Sequence, residues 1–121
     1  MQYETLYDDF VQLFPDNIHQ LQELSKSASA EPSDGMHIMF GMVVVPFLMD
    51  LLEKKDTDKL AKAFAFFEKM AESGDSMISE VLEFTVLEDL ISRGKDVLNQ
   101  CKPYMQPKTL GCCSSVEKYM M

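Results

Sequence analysis

Residues 66–90 read FFEKMAESGDSMISEVLEFTVLEDL, a stretch dense in apolar side chains and broken once, at Ser73-Gly74-Asp75. Just upstream, Leu60, Phe64, Phe67 and Ala71 recur at three- and four-residue spacing, with Ala63, Phe66 and Met70 widening the same face. That period predicts a helix. Gly74 supplies the left-handed residue that ends it. Asp75 has a side chain suited to cap the next helix. A link this short sets two helices side by side and antiparallel. The second helix, 76–92, carries Met77, Ile78, Val81, Leu82, Phe84, Val86, Leu87, Leu90 and Ile91. They cover more than half its circumference, which predicts burial by neighbours on several sides. Each such side chain contributes about 1.5–3 kcal/mol when fully buried, so the hairpin can organise the fold.

Outward from the hairpin the same periods continue. Tyr3, Leu6, Tyr7, Phe10, Val11 and Phe14 predict a helix over 3–14, stopped by Pro15. Asp16 can cap a short second helix through Ile18, Leu21 and Leu24. SKSASAEPSDG (25–35) is small, polar and rich in breakers, so the N-terminal helices are expected in 1–25 and a loop in 26–35. In MHIMFGMVVVPFLMDLL (36–52), Val43, Val44 and Val45 favour a strand, whereas length and the Leu48-Leu51-Leu52 spacing favour a helix. A helix is expected, because no other segment offers a partner strand. Pro46 either kinks it or starts its second half.

EKKDTDK (53–59) is a charged turn from which Asp56 or Thr57 can cap the next helix. Gly94 ends the hairpin's second helix. A short helix follows over 95–105, and Pro107 can open the last one, where a missing N–H costs nothing. The expectation is a single all-α domain over 1–121: a compact antiparallel array of six to seven helices, a short α-solenoid being one form of it. Its helical core spans 36–121, with the hairpin at 58–92.

Composition narrows the function. The 121 residues suit one domain, and 46% of them are hydrophobic, enough for a core. Twenty Asp and Glu against eleven Lys and Arg give a formal charge of −9. That field repels phosphate backbones and anionic membranes and attracts basic partners. Nucleic acid and membrane are therefore not expected partners. The start, MQYETLYDDF, has no basic region followed by an apolar one, and three cysteines, two of them adjacent, make no disulfide framework. A reduced cytoplasm is the expected setting.

No catalytic, metal-binding or cofactor-binding group is expected. Glu68 and Glu88 occupy similar contexts. In an antiparallel hairpin they fall about 12 Å apart along the axis at 1.5 Å per residue, wider than the carboxyl pairs of glycosidases. They read instead as flanking residues or caps for neighbouring loops. Cys112 and Cys113 point about 100° apart on a helix and cannot share one tetrahedral zinc. Acidic surroundings raise the pKa of a thiol rather than activating it, and one of this pair is expected buried, the other exposed. His37 is expected as a core histidine held by a backbone carbonyl. Ten methionines, among them Met36, Met39, Met42, Met49, Met105, Met120 and Met121, read mainly as core filler, with an adaptable binding surface as the alternative.

HIMFGMVVVPFLMDLLE (37–53), the 66–90 hairpin and KPYMQPKTLGCCSSVEKY (102–119) resemble a family of small, all-helical bacterial proteins, themselves similar to the immunity proteins of polymorphic and contact-dependent toxin systems. The resemblance covers 37–119 and is most specific at the Ser-Gly-Asp hairpin and at Tyr104-Met105-Gln106-Pro107, where Gln106 replaces the family's usual glycine. It implies a cognate protein toxin as partner and no catalytic residues. Charge adds a mechanism: an acidic surface can occupy the positive cleft of a basic nuclease. The acids expected to make contact are Asp8, Asp9, Glu72, Asp75, Glu80 and Glu83. The alternative reading is a helical adaptor that binds an apolar peptide through its methionines.

Overall fold

The computed structural model describes residues 1–120. Among these residues there is no strand, and seven helices form the compact all-α array that the periodicity predicts. They are α1 (Leu6–Gln12), α2 (Ile18–Ala28), α3 (Met36–Glu53), α4 (Thr57–Glu72), α5 (76–92), α6 (Lys95–Cys101) and α7 (Pro107–Met120). The hairpin turn forms as its residues dictate. Gly74 takes φ 72°, and the Asp75 carboxylate accepts from the Met77 N–H at 2.9 Å. Asp56 caps α4 by accepting from the Lys59 N–H at 3.2 Å.

Two helices are central rather than one. α5 packs against α3, α4, α6 and α7; α3 packs against α1, α2, α4 and α5. Contacts of α3 with both α1 and α5 cross the array, whereas the repeats of a solenoid touch only their neighbours. α3 is long and apolar enough to cross a membrane by length and composition alone. Its Val43, Val44, Val45, Phe47 and Leu48 are fully enclosed by other parts of this chain, so it packs here as a core helix.

Both central helices contain a π-helical stretch, Phe40–Val44 in α3 and Val81–Leu87 in α5. The enclosed side chains explain why. Met39-Phe40 and Val44-Val45 are apolar doublets five residues apart; so are Val81-Leu82 and Val86-Leu87. All eight are fully buried. An α-helix turns about 100° per residue, so a five-residue step would swing the second doublet about 140° away from the first. Widening to i→i+5 hydrogen bonds returns both doublets to the core. In α3 the Val45 N–H donates to the Phe40 carbonyl, and Pro46 follows directly. A proline ring clashes with the carbonyl four residues earlier, and a widened turn accommodates it. Pro46 thus starts the second half of an unbroken helix.

The two wide turns pack on each other. A Cβ built on Gly41 would lie 3.2 Å from the Thr85 Cγ2, so α3 and α5 approach closely at this point. The N-terminal third is anchored by Phe10, whose ring centroid lies 5.1–6.3 Å from those of Phe14, Phe40, Phe47, Phe66 and Phe67. Such aromatic pairs add to the burial already gained.

Four local expectations need correction. α2 runs to Ala28, so the loop begins three residues later than 26. Ser29 closes the helix in the left-handed region at φ 53°, and buried Ala30 pins the chain. Asp16 lies inside a 3-10 turn, Pro15–Asn17, and caps nothing. Asn17 stands at the cap position, without a side-chain bond to the helix. His37 is exposed and shares a hydrogen bond with the Thr85 hydroxyl, because Met36 and Met39 take the core positions of that first turn. Within α5, Met77 and Phe84 are about half exposed, at 51% and 52%.

The Gly41 contact yields a stability prediction. Gly41→Val is expected to lower unfolding free energy in urea by about 1–3 kcal/mol, the range for overpacking a close contact. An unchanged midpoint would mean that α3 and α5 part there without cost.

Candidate functional site

The wide turn of α5 positions an exposed aromatic side chain. With Val81-Leu82 and Val86-Leu87 both turned inward, Glu83-Phe84-Thr85 bulges between them. Thr85 is tied down by His37 and Gly41 of α3. Phe84 projects outward, and its ring meets that of Tyr119 on α7 at a centroid distance of 6.5 Å. Tyr119 is 78% exposed. π-helical turns recur at functional sites, where they re-aim a side chain; here the re-aimed side chain is a phenylalanine.

A furrow runs between α5 and α7 past this pair. One end, about 590 Å³, lies beside Glu83, Lys108 and Cys112. The middle, about 250 Å³, lies between Phe84, Val116 and Tyr119. The far end, about 350 Å³, lies between Glu88, Ser92 and Met120. Glu83 and Ser115 line both of the first two parts, and Phe84 lines both of the last two.

One buried carboxylate holds α7 in place to form this furrow. Glu68, 7% exposed, reaches from α4 to the start of α7. Its Oε2 accepts from the Lys108 N–H at 3.0 Å; its Oε1 accepts from the Thr109 N–H at 2.8 Å and the Thr109 hydroxyl at 2.9 Å. Pro107 has no N–H to satisfy, and the Leu110 N–H donates to the Gln106 carbonyl. The open donors at this helix start therefore all have acceptors. A negative charge here also complements the helix dipole. Burial pushes the Glu68 carboxyl upward, but the bonds from Thr109 and Lys108 outweigh it and hold it below the ordinary glutamate range. Glu68 is thus a cap for a neighbouring segment, and both its oxygens are committed to α7, away from Glu88, which lines the furrow.

The expected contact acids divide into separate places. Asp8 is exposed beside a groove of about 440 Å³ between α1 and α2, which has no lining residue in common with the furrow. Asp9 accepts from the Thr5 hydroxyl at 3.0 Å. Glu72 is exposed at the end of α4, and Asp75 is occupied in capping α5. Glu80 is exposed on α5 one turn before Phe84, and Glu83 is half-buried beside it. Of the six, only Glu80 and Glu83 thus lie within α5 alongside Phe84. Phe84, Tyr119 and Glu88 escaped the contact set. The signal for Phe84 was the pentad VLEFT-VLEDL (81–90), whose repeated Val-Leu step of five calls for a wide turn; Tyr119, on α7, has no such signal.

The three cysteines are free, and their surroundings push each thiol upward. Burial pushes Cys101 up to about 12, with Cys113 adding to it. Burial and Glu83 push Cys112 up to about 11, and burial and Glu117 do the same for Cys113. Cys113 is buried and Cys112 half-buried, rather than fully exposed. Among the described residues no group of three His, Cys, Asp or Glu side chains could hold a metal ion. Of the methionines, Met36, Met39, Met70 and Met105 are core; Met42, Met77 and Met120 are exposed; Met121 lies outside the described residues.

Two measurements check this chemistry. Glu68→Ala strands two backbone donors and is expected to cost about 1–3 kcal/mol in urea unfolding. A carboxyl whose pKa falls on folding supports the fold above its unfolded pKa, and that support is lost as pH falls through the folded value. The wild type should therefore lose stability below about pH 4.5, and Glu68→Gln should lack that component. Alkylation of the native thiols by iodoacetamide near pH 8 should be about tenfold or more slower than in denaturant, since a pKa raised by two units leaves about a hundredth of the thiolate.

No curated protein and no solved structure matches this sequence. One family profile does, over residues 7–120, and it is described as a domain of unknown function. The match spans α1 to α7 and includes the Phe84–Tyr119 furrow and the Glu68 cap. The chain belongs to the DUF7674 family.

Proposed function

We propose that this is an immunity-type binding protein of the cytoplasm that neutralises a toxin by covering its active site, the toxin being a basic protein such as a nuclease. The protein works through its outer surface, and no group on it need react. The observation that carries this reading is the placing of Glu80 and Glu83 beside an exposed aromatic pair, on a chain of net charge −9. Charge of this sign steers a protein to a positive cleft and speeds association. Aromatic side chains at the centre of an interface supply much of its affinity. The resemblance of 37–119 to immunity-like proteins supports the same reading.

The exposed methionines Met42, Met77 and Met120 favour a second reading, a helical adaptor for an apolar peptide. Salt separates the two: binding by charge weakens with ionic strength, whereas apolar binding changes little.

The decisive experiment expresses each adjacent reading frame with and without this protein. One neighbour is expected to arrest growth, and this protein to relieve the arrest. Glu80→Lys with Glu83→Lys should reduce the relief while the fold, followed by circular dichroism, is retained. Absence of any toxic neighbour, or toxicity undiminished by this protein, would overturn the proposal.

A further inference from the structure

The furrow between α5 and α7 is a shallow strip that runs alongside α7. α7 has fourteen residues, about 21 Å of helix at 1.5 Å per residue. The furrow follows it from Lys108 to Met120. Its middle is apolar, formed by Phe84, Val116 and Tyr119, and Met120 extends it. Along α5 it is edged by Glu83 and Glu88, with Glu80 one turn before Phe84. Among the described residues Glu80, Glu83 and Glu88 form no ion pair, while Asp89 is paired with Arg93 at 2.7 Å and Glu117 with Lys102 at 3.2 Å. Glu83 and Glu88 therefore border the strip without an ion pair, Glu83 next to Lys108 and Cys112, and Glu80 stands unpaired one turn further along α5.

We infer that this furrow binds a basic amphipathic helix of a partner protein, its apolar stripe seated on Phe84 and Tyr119 and its Lys or Arg side chains facing Glu80, Glu83 and Glu88. Charge complementarity selects the occupant. An acidic or neutral helix would leave Glu83 and Glu88 without an ion pair at the edge of an apolar contact, whereas a basic one pairs them. An amphipathic helix also matches an apolar strip with one charged border. A cation above the exposed Phe84 or Tyr119 ring gains further from the ring face. The inference rests on reading the protein as a binding protein, and it replaces a general acidic surface with one groove and one kind of segment.

The probe is a synthetic Leu/Lys amphipathic helical peptide carrying a fluorophore, with a Leu/Glu peptide of the same pattern as control. Binding is followed by anisotropy at low and high salt, and backbone amide shifts locate the contact. The Leu/Lys peptide is expected to bind and to perturb residues 80–92 and 107–120. Phe84→Ala with Tyr119→Ala should weaken it at least about tenfold, the range for losing aromatic anchors. Glu80→Lys with Glu88→Lys should weaken it and remove its salt dependence. Glu53→Lys, at the end of α3, should leave it unchanged. Phe84 and Tyr119 are exposed, so their truncation leaves the core intact, and thermal melts of the variants verify that.

The inference is overturned if the Leu/Lys peptide fails to bind, if the Leu/Glu peptide binds equally, or if the aromatic variant binds like wild type. It is also overturned if the shifts fall in the α1–α2 groove, or if sedimentation shows the furrow closed by a second copy of this chain. Growth protection that survives the aromatic truncation would end the groove assignment and leave toxin neutralisation standing. Peptide binding without any toxic neighbour would do the reverse.

Discussion

Four apolar doublets that must all face inward, each pair separated by a step of five, constrain α3 and α5 more than any other feature. Met39-Phe40 with Val44-Val45, and Val81-Leu82 with Val86-Leu87, cannot share one face of an α-helix, yet all are enclosed. Both helices widen, and the wide turns meet where Gly41 leaves room for Thr85. The cost of two weaker turns is set against the burial of eight side chains, each of which contributes about 1.5–3 kcal/mol. Burial wins. Its by-product is the outward bulge that carries Glu83 and Phe84.

α7 completes the surface, and it depends on a different force. Its apolar content is modest, with Cys113 and Val116 enclosed and Tyr119 on the outside. Glu68 compensates by capping it from another helix, satisfying backbone donors that its own first turn leaves open. A buried carboxylate would ordinarily be costly. Here three hydrogen bonds and the helix dipole offset the loss of water. The core that bends α5 and the charge that docks α7 thus jointly define the furrow, with Glu83 and Glu88 along its α5 edge.

The sequence is legible where one local rule dominates. Gly74 and Asp75 made the hairpin turn, Asp56 made its cap, and Pro107 opened α7, because each acts through its own backbone or the next few residues. It is silent where partners from elsewhere decide. The apolar neighbours of His37 point it to the core, but Met36 and Met39 fill that face and leave it to Thr85. An α-helical wheel buries Phe84, and the wide turn exposes it. Glu68 reads as a possible cap, but its target, forty residues away, is invisible to any local pattern. Asp8 and Glu80 look equivalent as surface acids, yet Asp8 borders the α1–α2 groove and Glu80 stands on α5 near Phe84.

From its sequence alone this protein was bound to be helical, acidic and built on the 58–92 hairpin, since period, charge and turn chemistry are properties of short stretches of chain. Tertiary structure decided which helix joined α5 at the centre, where the helices widen, and which acids stand beside an exposed aromatic pair. Those outcomes follow from the filling of a shared interior, and the space left for any one side chain is set by residues far away in the chain.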